Sequence, residues 1–202
     1  MSFDTYSNLK SEIIAWSHRN DLDDRLDGFI DLAESEMWKK LRIRDMESRQ
    51  TASLTTRYLA LPTNYVEMRR LRLVSGSNNY NIDYEAPSSM IVSADTSIPK
   101  YFTVTSQLEF DRTPDGTYTA EMELYISLTA LSDSNTSNAV LSRFPMIYLF
   151  GSLWALWLFA SEEDKADYYY GMFDKAIRDA NAQDSRGRYG PAPAARMRGT
   201  AP

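Results

Sequence analysis

The acidic segment from Asp23 to Glu34 has the residue types of a calcium-binding loop. Acids occupy its first, fifth, ninth and twelfth positions, and Gly28 occupies the sixth, where such a loop turns sharply. Arg25, however, stands at the third position, where a calcium ligand is required. Because apolar residues recur every three or four positions from Leu26 to Leu41, we interpret the segment as the acidic start of a helix, with no metal site.

Acid–base chemistry could also involve His18, the single histidine, or one of several pairs of acids. No nucleophile motif accompanies His18, and its place at the end of a short helix is typical of a C-terminal cation. Pairs such as Glu121 and Glu123 could serve a glycosidase, but acids in this arrangement more often form a solvated surface. We therefore predict that the chain is not an enzyme and has no catalytic residue.

The absence of cysteine excludes disulfides and thiol nucleophiles, and the absence of glycine-rich phosphate loops argues against nucleotide cofactors. We predict no cofactor. The chain has 22 basic and 28 acidic residues, which gives a net charge of −6 and argues against a basic nucleic-acid-binding surface. A minor group of arginines, Arg57, Arg69, Arg70 and Arg72, is expected to form salt bridges.

The hydrophobic pattern predicts an α+β fold, in which a bundle of about four helices is interrupted by a small inserted antiparallel sheet. Residues 1–48 carry two helices, one with Tyr6, Leu9, Ile13 and Trp16 on its apolar side and one that starts near Asp21. In residues 49–131 the period changes to two, most clearly from Tyr118 to Leu128. We expect about four to six strands, which include Val66–Val74, followed by a turn over Ser75–Asn79, and the hairpin neighbours Tyr101–Thr105 and Leu108–Phe110.

Residues 132–185 return to helix, and the helix between Phe144 and Ala160 is apolar on all sides. With 17 residues it is too short to cross a bilayer, so we predict no membrane association. A helix of this kind is buried on several sides, and a neighbouring subunit could cover what its own chain leaves exposed. We predict that its large aromatic residues lie at a subunit interface: Phe150, Trp154, Trp157 and Phe159.

Residues 186–202 form a low-complexity basic segment with four arginines and no acid, so the preceding 185 residues carry −10. Such a segment cannot bury enough apolar area to fold alone. We predict an extended tail that docks on a partner chain, with arginines for acidic groups and two apolar anchors. The predicted partner-binding residues are Arg186, Arg188, Tyr189, Arg196, Met197 and Arg198.

Several segments, taken in order, resemble the head-to-tail adaptor (head-completion, connector) proteins of tailed bacteriophages, especially short-tailed phages. These segments are Thr5–Lys10, Ile14–Trp16, Phe29–Glu34, Leu41–Glu47, Tyr58–Pro62, Glu67–Leu73, Leu131–Asp133 and Pro145–Gly151. The resemblance covers residues 5–183 and depends on the order and spacing of the segments.

The resemblance implies a homo-oligomeric ring, usually of twelve copies, beneath the portal protein at the head–tail junction of the virion. Such a ring joins the capsid to a downstream tail protein (nozzle or tail tube) and continues the channel through which DNA passes without sequence-specific binding. Synthesis would take place in the host cytoplasm. Some relatives are associated with cell-wall hydrolysis, so a virion-associated peptidoglycan hydrolase is the alternative function.

Overall fold

The computed structural model describes residues 4–189, with side chains as far as residue 186. Within these limits the chain has five α-helices and one seven-stranded sheet. The helices are α1 (Tyr6–Ser17), α2 (Leu26–Lys40), α3 (Ala139–Arg143), α4 (Pro145–Phe159) and α5 (Glu163–Tyr189). The strands are β1 (Glu47–Leu54), β2 (Tyr58–Leu59), β3 (Tyr65–Ser75), β4 (Asn78–Tyr84), β5 (Tyr101–Val104), β6 (Leu108–Phe110) and β7 (Tyr118–Ile126).

The α+β class is confirmed, but the described residues contain one more helix than the sequence predicted. The additional helix is α3, whose five residues are too few to show a periodic pattern. It begins where the Asn138 side chain accepts a hydrogen bond from the backbone N–H of Leu141, at 3.0 Å. Helix α5 also runs further than predicted, because the segment 186–189, assigned to the tail, is helical.

The chain divides into two compact units. One contains the residues up to Asp45 and those from Thr129 onward, and we call it the helical unit. The other contains residues Met46–Leu128, and we call it the sheet unit. Each unit has its own buried apolar core.

Side chains from all five helices form the core of the helical unit. Helix α1 starts at Thr5, whose hydroxyl accepts a hydrogen bond from the N–H of Asn8, and it buries Leu9 and Ile13. It ends at His18, which adopts a left-handed conformation with φ of 54°. The segment Asp23–Glu34 is helical, as predicted, with a 3₁₀ turn over Asn20–Arg25 followed by α2.

The sheet unit has the strand order β1-β7-β3-β4-β5-β6-β2. Strands β1 and β2 stand at opposite ends of this order, yet only three residues separate them in the chain. Since each residue spans at most about 3.5 Å, the two edges lie within about 14 Å, and the sheet must roll up on itself. Its inner side encloses the core of the unit, which includes Leu71, Phe110 and Met122.

The prediction of an antiparallel sheet is correct for every strand pair of the described residues except one. Strands β4 and β5 are parallel, with Asp83 opposite Tyr101. A parallel pair needs a long connection, and the segment 85–100 supplies one without a helix. The sheet is also larger than predicted, because β1, β2 and β4 add to the strands read from the sequence.

Candidate functional site

Helix α4 is the central element of the helical unit. Pro145 occupies its first turn, where a missing N–H costs nothing, and most of the following side chains are buried. Gly151 lets both α2 and α5 pack closely against α4, since a Cβ at this position would lie 2.9 Å from Ala33 Cβ and 2.9 Å from Phe173 Cε2. The apolar character of α4 on all sides is therefore explained largely by packing within its own unit.

A buried polar network connects α2 and α4 with the loop 129–138. Glu34 Oε1 accepts hydrogen bonds from the Tyr148 hydroxyl at 2.6 Å and from the Leu131 N–H at 2.9 Å. Asn138 donates to the same hydroxyl at 2.7 Å. Burial raises the pKa of the Glu34 carboxyl and also the pKa of Tyr148. The network fixes the loop on the helices, which is a structural role.

One end of α4 borders an open apolar groove of about 520 Å³ between α2 and α4. Phe159 and Leu158 are about half exposed there, and Leu32 of α2 is 42% exposed. The Arg25 guanidinium lies 5.0 Å from the centroid of the Phe159 ring, within the range of a cation–π contact. We call this feature the apolar groove; its lining also includes Asp24, Gly28, Phe29 and Ala155.

A second apolar surface lies where α1, α4 and α5 meet. Phe150 of α4 stands between Trp16 of α1 and Tyr169 of α5, with ring centroids 6.1 Å and 6.4 Å away. Tyr168 continues the row in edge contact with Tyr169. Trp16 is 41% exposed and Tyr168 is 63% exposed. We call these four side chains the aromatic patch.

The groove and the patch lie on opposite sides of α4. Phe150 belongs to the patch and Phe159 to the groove, and nine residues separate them on one continuous helix. At 3.6 residues per turn, nine residues make two and a half turns, so the two side chains leave the helix in opposite directions. The helical unit therefore presents two different apolar surfaces.

A comparison with protein-family models places residues 4–197 in the SU10 adaptor protein family. The chain belongs to this family. It is a family of phage head–tail adaptors, and the match confirms the resemblance found in the sequence. No curated protein matched the chain. Membership in this family implies a structural role as a component of the phage virion.

The four aromatic residues that the sequence analysis assigned to a subunit interface differ in exposure in this SU10 family member. Phe159 is 51% exposed, and Phe150 and Trp154 are half-buried. Trp157 is 7% exposed, with Lys165 4.0 Å above its ring, so most of it packs inside its own subunit.

The sequence did not predict the other residues of the two surfaces. Trp16 was expected on the apolar side of its helix, and five further residues were not expected at an interface: Arg25, Leu32, Leu158, Tyr168 and Tyr169. One signal was available. The three consecutive tyrosines Tyr168–Tyr170 span 200° of a helix, so at least one of them has to leave the buried side. For Leu158 and Leu32 no such signal exists, because exposure depends on where the neighbouring helix ends.

Helix α5 makes a row of polar contacts with Lys40 and Arg44, and the C-terminal segment of the adaptor comes after this row in the chain. Lys40 donates hydrogen bonds to Tyr170 and Asp174, and the buried Asp184 carboxylate accepts the Arg44 N–H at 2.8 Å. Arg186, two residues further on, is exposed. Arg188 and Tyr189 belong to the last turn of α5, whereas Arg196, Met197 and Arg198 lie outside the described residues.

The sheet unit of the adaptor carries charged side chains on its strands and two exposed apolar side chains in one loop. The arginines expected to form salt bridges do so in three cases, Arg57 with Glu109, Arg69 with Glu47 and Arg72 with Glu121. Arg70 instead donates to the Asn81 side chain. In the loop 85–100, Ile91 is 83% exposed and Val92 is 44% exposed.

His18 and Glu34, two of the candidate chemical groups of the sequence, have structural positions in the helical unit. His18 is an exposed helix cap, and Glu34, the twelfth position of the calcium-like segment, points into the helical core. Within residues 4–189, no three histidine or acidic side chains group as metal ligands. In the same residues, no helix has the length and hydropathy needed to span a membrane.

Proposed function

We propose that this adaptor forms a ring, of about twelve copies, beneath the portal at the head–tail junction, where it joins the capsid to the tail and continues the DNA channel. The observation that carries the proposal is the family match, which extends over residues 4–197 and thus over both units.

The two apolar surfaces of the helical unit support ring formation. A closed ring uses heterologous contacts, in which each subunit offers two different surfaces to its two neighbours. The apolar groove and the aromatic patch are two such surfaces, and Phe150 and Phe159 are their members on α4. In this proposal Trp154 and Trp157 support the interface from beneath, since both lie at least partly within their own subunit.

The C-terminal segment is proposed to dock on the portal. Arg186 is exposed at the end of α5, and the arginines at 188, 196 and 198 add to its charge, with Tyr189 and Met197 as apolar anchors. Arginine forms bidentate hydrogen bonds with carboxylates, so an acidic portal surface is the expected partner. Multiple copies bound to one portal gain avidity, because the first docked tail raises the effective concentration of the others.

The sheet unit is proposed to contact the downstream tail protein. Ile91 is 83% exposed and Val92 is 44% exposed in the loop 85–100, and exposed apolar groups of this kind favour protein contacts. DNA is proposed to pass through the ring without being held, because residues 1–185 carry a charge of −10 and carboxylates repel phosphates.

The proposal is tested with DNA-filled heads that have the portal but lack adaptor and tail. Added adaptor should sediment with these heads and appear as a ring below the portal by cryo-electron microscopy. Removal of residues 190–202 leaves the described helix α5 complete, and this variant should fold normally but bind the heads poorly. The double substitution Arg196→Glu and Arg198→Glu should reduce binding to the heads to the same extent, because the proposed attraction is between these arginines and acidic groups of the portal.

Heads that acquire the adaptor equally well with and without its tail would contradict the docking role. Heads that acquire no adaptor at all would contradict the proposed function. The same protein preparation, incubated with peptidoglycan, should release no soluble fragments. Release of fragments would instead favour the hydrolase.

A further inference from the structure

We propose that the aromatic patch of each subunit occupies the apolar groove of the next, so that these two surfaces make the subunit contact of the ring. This inference rests on the proposed ring and specifies which residues form it. The occupant of the groove is thus a second copy of this chain.

A ring beneath the portal in which all subunits point the same way cannot be built from contacts between like surfaces. Groove and patch lie two and a half turns apart on α4, on opposite sides of the helix. Groove–groove and patch–patch contacts would pair subunits face to face through two-fold axes. A groove–patch contact instead repeats in one direction and can close into a ring.

The two surfaces are also complementary in chemistry. Most of the groove lining is aliphatic and aromatic carbon, with Leu32, Leu158 and Phe159 exposed, and Asp24 and Arg25 add its charged groups. The patch offers four aromatic side chains, of which Trp16 and Tyr168 are the most exposed. Aromatic anchors seated in an apolar recess and shielded from water are the usual centre of a protein interface.

The charge at Arg25 favours the patch of a second copy as the occupant. The groove lining holds one acid, Asp24, and one cation, Arg25; Arg25 lies 5.0 Å from the Phe159 ring and forms no ion pair with any described residue. Asp164 stands four residues before Tyr168 on α5, which places the carboxylate next to the tyrosine on the helix surface. Asp164 is exposed and likewise has no ion-pair partner among residues 4–189. In the proposed contact, Asp164 of one subunit pairs with Arg25 of the next.

Cysteine cross-linking tests the contact directly, because the chain has no cysteine of its own. Leu32→Cys marks the groove and Tyr168→Cys marks the patch, and both positions are exposed, so folding should be unaffected. The variants are assembled on portal-containing heads, alone and mixed, and treated with a short bismaleimide. The mixture should give a cross-linked dimer, a chain with both substitutions should give a ladder of multimers, and each variant alone should stay monomeric.

A charge exchange gives a second and independent readout. Arg25→Asp and Asp164→Arg should each lower the amount of adaptor retained on heads by about tenfold, and the two substitutions in one chain should restore retention to near the original level. Arg49→Asp, which reverses a charge on the sheet unit at a side chain that is 87% exposed, is the matched control.

The outcomes separate this contact from the ring itself. If rings form normally but the cysteine mixture gives no cross-link and the charge exchange restores nothing, the subunit contact lies elsewhere. That result overturns this inference and leaves the proposed ring intact. A dimer formed by one cysteine variant alone also overturns it, because that dimer requires like surfaces to meet. If unmodified adaptor forms no ring on the heads, the proposed function fails first.

Discussion

The Tyr148 hydroxyl lies 2.6 Å from Glu34 Oε1 in the interior of the helical unit, where it donates a hydrogen bond. Both side chains are almost fully buried, and the Leu131 N–H donates to the same carboxylate oxygen. Burial is the main cause of the raised pKa of Glu34, although both hydrogen bonds favour the ionised form. Glu34 thus holds the loop 129–138 in place, although burial makes the charged form of this carboxyl unfavourable.

The first prediction concerns the pH dependence that follows from Glu34. Because its pKa is higher in the folded than in the unfolded chain, the folded state binds the proton more tightly, and ionisation costs stability. The free energy of unfolding should therefore fall as the pH rises from about 4.3, the ordinary glutamate pKa, and level off above the raised value. Glu34→Gln should abolish this slope, as measured by urea unfolding at a series of pH values.

Glu12→Gln, at a partly exposed position on α1, serves as the control and should keep the slope of the original protein. If Glu34→Gln and the original protein showed parallel pH profiles between pH 4 and pH 8, the buried acid would have no part in the pH dependence.

The second prediction concerns the close helix packing at Gly151. Alanine is the better helix former by about 1 kcal/mol. Its Cβ, however, would lie only 2.9 Å from Ala33 Cβ and from Phe173 Cε2, and overpacking of this kind costs about 1–3 kcal/mol. Gly151→Ala should therefore lower the free energy of unfolding by up to about 2 kcal/mol, as measured by chemical denaturation.

Gly171→Ala is the matched control, because Gly171 lies inside α5 and a Cβ there would meet no atom within 4 Å. This substitution should stabilise the protein by up to about 1 kcal/mol. Equal effects at the two glycines would mean that helix propensity, and not packing, decides the outcome at Gly151.

The sequence predicted the elements whose apolar pattern is strong. Helices α1, α2 and α5 appear where the 3.6-residue period placed them, α4 appears where a continuous apolar run placed it, and β6 and β7 begin where the two-residue period placed them. Strand β1 was missed because its inner positions are mostly small or polar, so the sequence Glu47–Leu54 shows little hydrophobic alternation. Pairing along its whole length with β7 determines it instead.

Strand β4 was missed because of its asparagines. The segment from Ser75 to Asn79 was interpreted as one turn, whereas the turn proper is Gly76 and Ser77, and pairing resumes with Ser75 opposite Asn78. Gly76 has a φ of 57°, which a two-residue hairpin turn requires. Asparagine favours turns locally, but the hydrogen bonds of the ladder with β3 override that preference.

The exposure of individual side chains on α4 was beyond what the sequence could predict. Trp157 and Phe159 are two residues apart on an equally apolar helix, yet one is buried and the other is half exposed. The difference depends on which neighbouring element covers each position, and a hydrophobic pattern carries no such information.

The third prediction concerns the junction of α4 and α5. Ser161 has a φ of 58°, and the N–H of Glu162 donates to the Trp157 carbonyl, so α4 ends in a Schellman motif that normally carries glycine at this position. Ser161→Gly should remove the strain of a left-handed residue with a Cβ and raise the free energy of unfolding by about 1 kcal/mol. Thermal unfolding gives the measurement.

The same replacement in regular helix should act in the opposite direction. Ser11→Gly, at an exposed position within α1, should destabilise the protein by about 0.5 kcal/mol, since glycine has the lower helix propensity. A decrease in stability for both variants would contradict the assigned role of Ser161.

The last prediction uses the separate cores of the two units. All four tryptophans, Trp16, Trp38, Trp154 and Trp157, lie in the helical unit, so tryptophan fluorescence follows that unit alone. Phe110 is fully buried in the core of the sheet unit, and its replacement by alanine should cost about 3–5 kcal/mol there. Phe110→Ala should make the amides of residues 46–128 exchange with deuterium at lower urea concentrations while the fluorescence midpoint stays in place. A matching shift of the fluorescence midpoint would show that the two cores unfold as one cooperative structure.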